Sequence, residues 1–261
     1  MLRALVLGVL APGGLVLGGL ALAGCEGARS SPRGNSVTER PAEQPRATTT
    51  QGADALRQVE ARRAQYREAL SAAPSGAARH RVVREAARYL EDLLIDAVLP
   101  RWDGTPWSFS GTSTTPRTGS IACGYFVSTT LKEAGIRVER ARLAQQASED
   151  IIKTLAPSEA IQRFSDVPVE KFTAAVAARG DGLYVVGLDN HVGFLIARGG
   201  KVLFHHSSYV GATAVVREEA ATSSPLAESR YRVIGKLFTE DALVEAWIQG
   251  TPVPTKVRSR R

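Results

Sequence analysis

The sequence predicts an α+β fold, with helices in the first part of the chain and an antiparallel sheet in the second. Up to about residue 179, apolar residues recur at the spacing of one helix face. From Leu183 onward the pattern changes to short β-branched or aromatic segments bounded by Gly, Asp, Asn or Ser. Gly199 and Gly200 separate two of these segments, which is typical of a hairpin turn. The 261 residues, of which 44% are hydrophobic, suit one domain with appendages.

The N-terminus has the pattern of an export signal. Arg3 precedes an apolar run over 4–23, and the run ends in Leu22-Ala23-Gly24-Cys25. These last four residues resemble the lipobox of bacterial lipoproteins, in which the cysteine is lipidated and becomes the new N-terminus. The resemblance implies a lipoprotein signal peptide over 1–24, a lipid on Cys25 and anchoring to a bacterial membrane in the cell envelope. An uncleaved membrane anchor and a plain secretory signal are the alternatives.

Residues 25–51 are rich in Ser, Thr, Pro, Arg, Gly and Glu and carry almost no large apolar side chain. Such a composition buries too little surface to fold, so we expect a disordered tether. Two helices are predicted within 52–100, from about Ala53 to Ala72 and from about Ala77 to Val98. We expect both to pack against the domain that follows, at 101–249.

The middle of the chain places a cysteine at the start of a predicted helix. A loop over 102–119 carries three aromatic residues, which either line a substrate groove or form a packed lid. For the helix that begins near Cys123, Ser120 is the expected N-cap and Gly135 the expected stop. A thiol in the first helical turn feels the partial positive charge of that terminus, which favours the thiolate. If Cys25 carries lipid, Cys123 has no partner for an intramolecular disulfide.

The remaining elements follow in order. Further helices are predicted over Arg142–Leu155, Pro157–Arg163 and Pro168–Arg179, and a last helix near Glu240–Gln249. The predicted strands are Leu183–Leu188, His191–Ala197, Lys201–Ser207, Ala212–Arg217 and Tyr231–Leu237. The final segment, 250–261, is interpreted as a basic tail.

Three histidines fall on the predicted sheet. His191 opens one strand, and His205 and His206 are neighbours on the next. A two-residue turn at Gly199-Gly200 places Gly193 opposite His206. Because strand side chains alternate between faces, His206 then shares a face with His191, and His205 points away. A three-residue turn or a bulge would reverse that choice.

These residues have the logic of a nucleophile, a base and an orienting group. Cys123 would attack a carbonyl carbon, and His191 would accept and then return the proton. His206, with His205 as the alternative, would hold the His191 imidazole in its useful tautomer. Backbone N–H groups at the start of the Cys123 helix would hold the oxyanion, and Gly193 would leave space close to the base.

The same residues carry a resemblance to a known family. The loop from Gly104 to Ser113, the run Ala122-Cys123-Gly124-Tyr125-Phe126-Val127 and the segment Lys132-Glu133-Ala134-Gly135-Ile136 resemble the NlpC-type papain-like cell-wall peptidases. In that family an aromatic, Gly-rich loop leads to a helix headed by the catalytic cysteine. His191-Val192-Gly193 resembles the family's His-Val-Gly strand, and His206-Ser207-Ser208 resembles its following His-Ala-Ser element.

The resemblance covers roughly Gly104 to Leu237. It implies a papain-like α+β fold, a Cys-His-His triad and hydrolysis of peptide or amide bonds in peptidoglycan, with no metal or organic cofactor. Trp107, at the position of the family's loop tyrosine, is the expected substrate-binding residue. Ala122 stands where the family commonly has an acidic residue that helps to bind the free amino end of the stem peptide.

The leading hypothesis is therefore a lipid-anchored cysteine peptidase or amidase of the cell envelope. The same fold acting on another acyl or amide substrate, and a non-catalytic binding or scaffold lipoprotein, are the alternatives. The net charge of +7 indicates either a solvated basic surface or an anionic partner such as the cell wall or a membrane face. The sequence shows no nucleic-acid-binding signature, so we expect no nucleic-acid partner. We expect a monomer that contacts the membrane through the lipid on Cys25.

Overall fold

A computed structural model describes residues 54–239 and 241–256. The predicted signal peptide, the predicted lipid site at Cys25 and the predicted tether lie outside the described residues, as does the end of the chain from 257 onward. In the described part of the chain, no helix is long and apolar enough to cross a membrane.

The described residues form helices and strands in an α+β arrangement, as the sequence predicts. The α-helices are α1 (Val59–Ala72), α2 (Gly76–Asp92), α3 (Cys123–Glu133), α4 (Arg140–Ala144), α5 (Ser148–Leu155), α6 (Val169–Ala178), α7 (Ser224–Glu228) and α8 (Asp241–Gln249). The strands are β1 (Ile161–Ser165), β2 (Gly182–Gly187), β3 (Val192–Arg198), β4 (Lys201–Ser207), β5 (Val215–Glu219) and β6 (Tyr231–Lys236). Helix α2 continues as a π-helix over Leu93–Val98 and a 3-10 helix over Leu99–Trp102.

The six strands form one antiparallel sheet in the order β1-β6-β2-β3-β4-β5. The β3–β4 hairpin has the predicted two-residue turn at Gly199-Gly200, since Arg198 pairs with Lys201. Both turn glycines have positive φ, 57° and 79°, which side chains of L-residues rarely adopt. The register predicted from the sequence is confirmed, so His205 and His206 point to opposite faces of the sheet.

Two of the helix predictions are wrong. The helix predicted over Pro157–Arg163 is a short 3-10 turn at Ser158–Ala160 that leads into β1. Strand β1 pairs along its whole length with β6, so pairing with a distant segment overrides the local helical spacing. The helix predicted over Arg142–Leu155 is divided into α4 and α5 by a turn at 145–147.

Helices cover both faces of the sheet. One face carries Val185, Phe194 and Val233, which cluster with apolar residues of α2, α3, α5 and α8. The opposite face carries Tyr184 and Leu195, which cluster with apolar residues of α6. Helix α3 therefore packs beside β3, and its first residue lies near the end of the sheet where β3 begins.

The N-terminal helices and the last described residues pack on this domain. On α8, the ring of Trp247 lies 6.1 Å from that of Tyr66 and 5.9 Å from that of Tyr89. Its Nε1 donates to the carbonyl of Ala134 at 2.9 Å. Val253 is buried, and its N–H donates to the carbonyl of Arg137 at 3.0 Å. The first half of the predicted tail, up to residue 256, is thus part of the packed domain, which corrects the interpretation of 250–261 as a tail.

Replacing Trp247 tests whether α1 and α2 belong to the folding unit. Trp247→Ala removes a fully buried ring that touches three elements, so the free energy of unfolding should fall by about 3–5 kcal/mol. Urea denaturation followed by circular dichroism measures this loss. As a control, Phe109 is 89% exposed, and Phe109→Ala should change the same quantity by less than about 0.5 kcal/mol. A loss below 1 kcal/mol for Trp247→Ala, or two separate transitions in the wild type, would contradict this account.

Candidate active site

The candidate nucleophile, Cys123, is the first residue of α3. The N-cap is Ala122, not the predicted Ser120, because Ile121 and Ala122 are still held in extended backbone by hydrogen bonds to Pro106 and Gly111. Alanine has no side-chain acceptor, and no side chain caps this terminus. The first N–H groups of α3 are therefore left without the partner that a Ser, Thr or Asp cap provides.

The candidate base, His191, directly precedes β3 and meets His206 of β4. Its Nε2 lies 2.9 Å from Nδ1 of His206, and the two rings are nearly perpendicular at 85°. Both side chains are buried. Of the two predicted alternatives for the third position, the structure brings His206 to His191.

Gly193 makes this meeting possible. A Cβ atom at Gly193 would lie 2.8 Å from Cβ of His206 and 2.7 Å from the ring of Phe204. Any larger residue would push both side chains away from β3. The space that the sequence assigns to Gly193 is present, and it is filled by His206 and Phe204 rather than left open near the base.

His205 points to the other face of the sheet. It is fully buried, its ring lies 5.6 Å from that of Phe126, and its Nε2 lies 2.8 Å from Oδ1 of Asp103. Neither of these two atoms is oriented for a hydrogen bond. His205 belongs to the packing between α3 and the sheet, on the face opposite to that of His206.

A cavity of about 280 Å³ contains both Cys123 and His191 in its lining. It lies where the start of α3, the turn between α4 and α5 and the turn between β2 and β3 come together. The lining residues are Cys123, Gly124, Ala144, Gln146, Ala147, Ser148, Ile151, Leu188, Asp189, Asn190, His191 and Val192. The predicted nucleophile and base thus open onto one space large enough for part of a substrate.

The thiol of Cys123 is held in its neutral form. Burial raises its pKa above the ordinary value of 9.0 and outweighs the backbone N–H groups of Val192, Gly124 and Cys123, which act in the opposite direction. The thiolate predicted from the helix terminus is therefore wrong for the free protein. The described residues show no hydrogen bond between the thiol and the ring of His191, and such bonds in hydrolases often form only with substrate.

The two imidazoles are neutral as well. Burial, and secondarily the neighbouring His206, lowers the pKa of His191 to about 3. Burial also lowers the pKa of His206, although Glu218 acts in the opposite direction. At neutral pH the site thus holds a thiol and an uncharged base. Because Nε2 of His191 faces His206, Nδ1 is the ring nitrogen that remains for the thiol.

The loop aromatics are divided among three environments. Trp102 is fully buried, and its Nε1 donates to Glu133 at 2.8 Å. Phe109 is exposed. Trp107, the predicted substrate-binding residue, does not line the cavity, and its ring lies 6.2 Å from that of Tyr209. Neither a groove lined by all three aromatics nor a packed lid describes this loop.

Sequence reasoning missed Tyr209 and Glu218. The ring of Tyr209 lies 5.2 Å from that of His191, with the planes at 72°. Tyr209 lies two residues beyond β4, in a loop without periodicity, so no local pattern marks it. Glu218, on the edge strand β5, lies 3.2 Å from His206, a contact that only the strand register reveals.

Comparison of the chain with protein-family models, with curated proteins and with solved structures found no match. The described residues contain no group of three His, Cys, Asp or Glu side chains that could hold a metal ion.

The burial of neutral His191 makes the protein sensitive to acid. Below its ordinary pKa of about 6.5, the unfolded chain binds a proton at this residue that the folded protein does not bind until about pH 3. The contribution of His191 to the free energy of unfolding is therefore fully present above pH 6.5. It falls as the pH drops toward 3, by about 1.4 kcal/mol per pH unit for one proton. His191→Gln lacks this contribution. Its free energy of unfolding should therefore fall less steeply with decreasing pH than that of the wild type, by about 1.4 kcal/mol per pH unit.

Urea denaturation of both proteins between pH 7.5 and 4 measures this difference. Parallel curves for the wild type and His191→Gln would show that His191 is protonated in the folded protein as readily as in the unfolded chain.

Proposed function

We propose that this protein is a lipid-anchored cysteine hydrolase of the bacterial envelope that cleaves peptide or amide bonds, with peptidoglycan as its substrate. The observation that carries the proposal is that His191, which is paired with the buried His206, lines the same cavity as Cys123. A helix headed by a cysteine and packed on an antiparallel sheet supports a papain-like, NlpC-type fold. The lipid on Cys25 remains a prediction from the sequence.

The first half of the reaction forms a thioester. As Sγ of Cys123 attacks the substrate carbonyl carbon, Nδ1 of His191 accepts the thiol proton. The uncapped N–H groups of Cys123 and Gly124 stabilise the oxyanion that develops on the carbonyl oxygen. The tetrahedral intermediate collapses when Nδ1 returns the proton to the leaving nitrogen, and the amine departs.

The second half regenerates the enzyme. Water enters the position of the amine and gives a proton to Nδ1 of His191 as its oxygen attacks the thioester carbon. The carbon–sulfur bond breaks, and the proton passes to the sulfur of Cys123. Throughout, His206 accepts the Nε2–H of His191 and stabilises the imidazolium that forms transiently.

The low pKa of His191 decides how the proton moves. A base of low pKa does not take the proton from a free thiol, so transfer accompanies attack on the carbonyl. The same low pKa makes the imidazolium a strong acid, which favours protonation of the leaving amine. Thiol and base are thus matched to act only when substrate fills the cavity.

A second candidate function is hydrolysis of another acyl or amide substrate whose acyl part is uncharged. Among the described residues that line the cavity, Asp189 is the only carboxylate, and none is Lys or Arg. Its oxygens already accept hydrogen bonds from the backbone N–H groups of Arg230 and Tyr231, at 2.8 and 3.2 Å. Asp189 thus already holds the backbone of the next strand, and Ala122 supplies no carboxylate at the position where the family commonly binds the amino end of a stem peptide.

Digestion of purified peptidoglycan, with the new ends identified by mass spectrometry, tests the proposal. The wild type should release fragments with new amino and carboxyl ends, and Cys123→Ala should release none. His206→Gln should lower the rate by about 10²-fold or more, because His191 loses its orienting partner. His205→Gln serves as the matched control, since it alters the neighbouring histidine on the other face, and it should keep the rate within about threefold.

The same assay separates the candidates. If the wild type leaves peptidoglycan uncut but hydrolyses an uncharged N-acyl amide or ester in a Cys123-dependent way, the second function is favoured. No hydrolysis of either kind by folded wild-type protein would contradict the enzyme proposal and leave the scaffold lipoprotein.

A further inference from the structure

We propose that Glu218 is a positioning residue that sets the tautomers of both site histidines, so that His191 presents an unprotonated Nδ1 to Cys123. For its effect on hydrolysis this inference rests on the proposed function. The proton positions themselves do not depend on any reaction, so they can be examined separately.

The strand register brings Glu218 to the site. On β5, Glu218 lies opposite Phe204 and Val216 lies opposite His206, so Glu218 is on the same face as His206 and diagonal to it. Its Oε1 lies 3.2 Å from Nε2 of His206, while Nδ1 of His206 lies 2.9 Å from Nε2 of His191. A continuous line of hydrogen-bonding groups thus runs from a carboxylate to the base.

The donors and acceptors along this line can be assigned in only one way. An ionised carboxylate accepts hydrogen bonds and donates none, so Nε2 of His206 carries the hydrogen. The ring of His206 is neutral, so its Nδ1 has a lone pair and accepts from Nε2–H of His191. His191 is neutral too, so its Nδ1 is left with a lone pair that faces away from His206. That lone pair is the acceptor that the thiol proton requires.

Without the carboxylate, the opposite assignment satisfies the histidine pair equally well. His206 would then carry its hydrogen on Nδ1 and donate to Nε2 of His191. A neutral His191 would carry its hydrogen on Nδ1, and this tautomer cannot accept a proton from Cys123. Glu218 thus selects the competent arrangement over an incompetent one with the same number of hydrogen bonds between the rings.

Neighbouring side chains fix the orientation of the His206 ring and agree with an ionised Glu218. The ring of Phe204 stacks on that of His206 at 3.9 Å with an angle of 10° between the planes, which holds the imidazole plane in place. Hydrogen bonding with His206 is also the main cause that lowers the pKa of Glu218, in agreement with an ionised carboxylate at neutral pH. The adjacent Glu219 is exposed, which makes it a matched control.

Two-bond nitrogen–proton NMR correlation on the full chain, with ¹⁵N-labelled histidine, reads the tautomers at pH 7.5. We expect Nε2–H on both His191 and His206 in the wild type. Glu218→Met should convert about half of His191 to the Nδ1–H tautomer and lower kcat in the same proportion, by about twofold, with little change in KM. Glu218→Gln has an amide oxygen that accepts from Nε2–H of His206 and an amide NH2 that donates to an unprotonated Nε2, so it no longer selects one arrangement, and His191 should again show both tautomers. Glu219→Gln should match the wild type in both measurements.

The proposal is overturned if His191 carries Nδ1–H in the wild type, or if folded Glu218→Met keeps the wild-type tautomers. If Glu218→Met does not fold, the wild-type spectrum and Glu218→Gln still decide the assignment. If the wild type has Nε2–H on both histidines but hydrolyses no substrate, the proposed function is contradicted and the role of Glu218 is retained. If the wild type hydrolyses substrate but carries the opposite tautomers, the role of Glu218 is contradicted and the proposed function is retained.

Discussion

The site depends on one hydrogen bond between two buried imidazoles, His191 and His206. Two imidazolium ions at 2.9 Å would repel each other without solvent to screen them, and burial lowers the pKa of each ring, so both histidines are uncharged at rest. The backbone is arranged around this contact. The hairpin turn sets which histidine faces His191, and Gly193 leaves the space into which His206 fits.

A neutral histidine pair changes how the thiol is activated. A cysteine beside an imidazolium would be a thiolate at rest, but here burial keeps both groups uncharged. In the proposed mechanism, charge then develops only when sulfur attacks a carbonyl and the backbone N–H groups at the start of α3 receive the oxyanion.

The sequence was sufficient for features that depend on local periodicity. The α+β class, the Gly199-Gly200 turn and the side of the sheet that His206 occupies all follow from alternation along neighbouring strands. Contacts between distant segments could not be predicted in this way. Strand β1 exists because it pairs with β6, and Glu218 reaches His206 because β5 pairs with β4. The prediction of a thiolate at Cys123 was wrong because burial raises the thiol pKa by more than the helix terminus lowers it, and burial cannot be read from the sequence pattern.

The pH dependence of Cys123 alkylation tests the neutral resting site most directly. Iodoacetamide is added to the folded full chain between pH 5 and 10, and the modified Cys123 peptide is quantified by mass spectrometry. We expect a rate that stays low at neutral pH and rises through a midpoint above the ordinary value of 9.0, with a similar profile in His191→Gln. A plateau of fast alkylation already at pH 7 that disappears in His191→Gln would show a preformed thiolate–imidazolium pair and contradict this expectation.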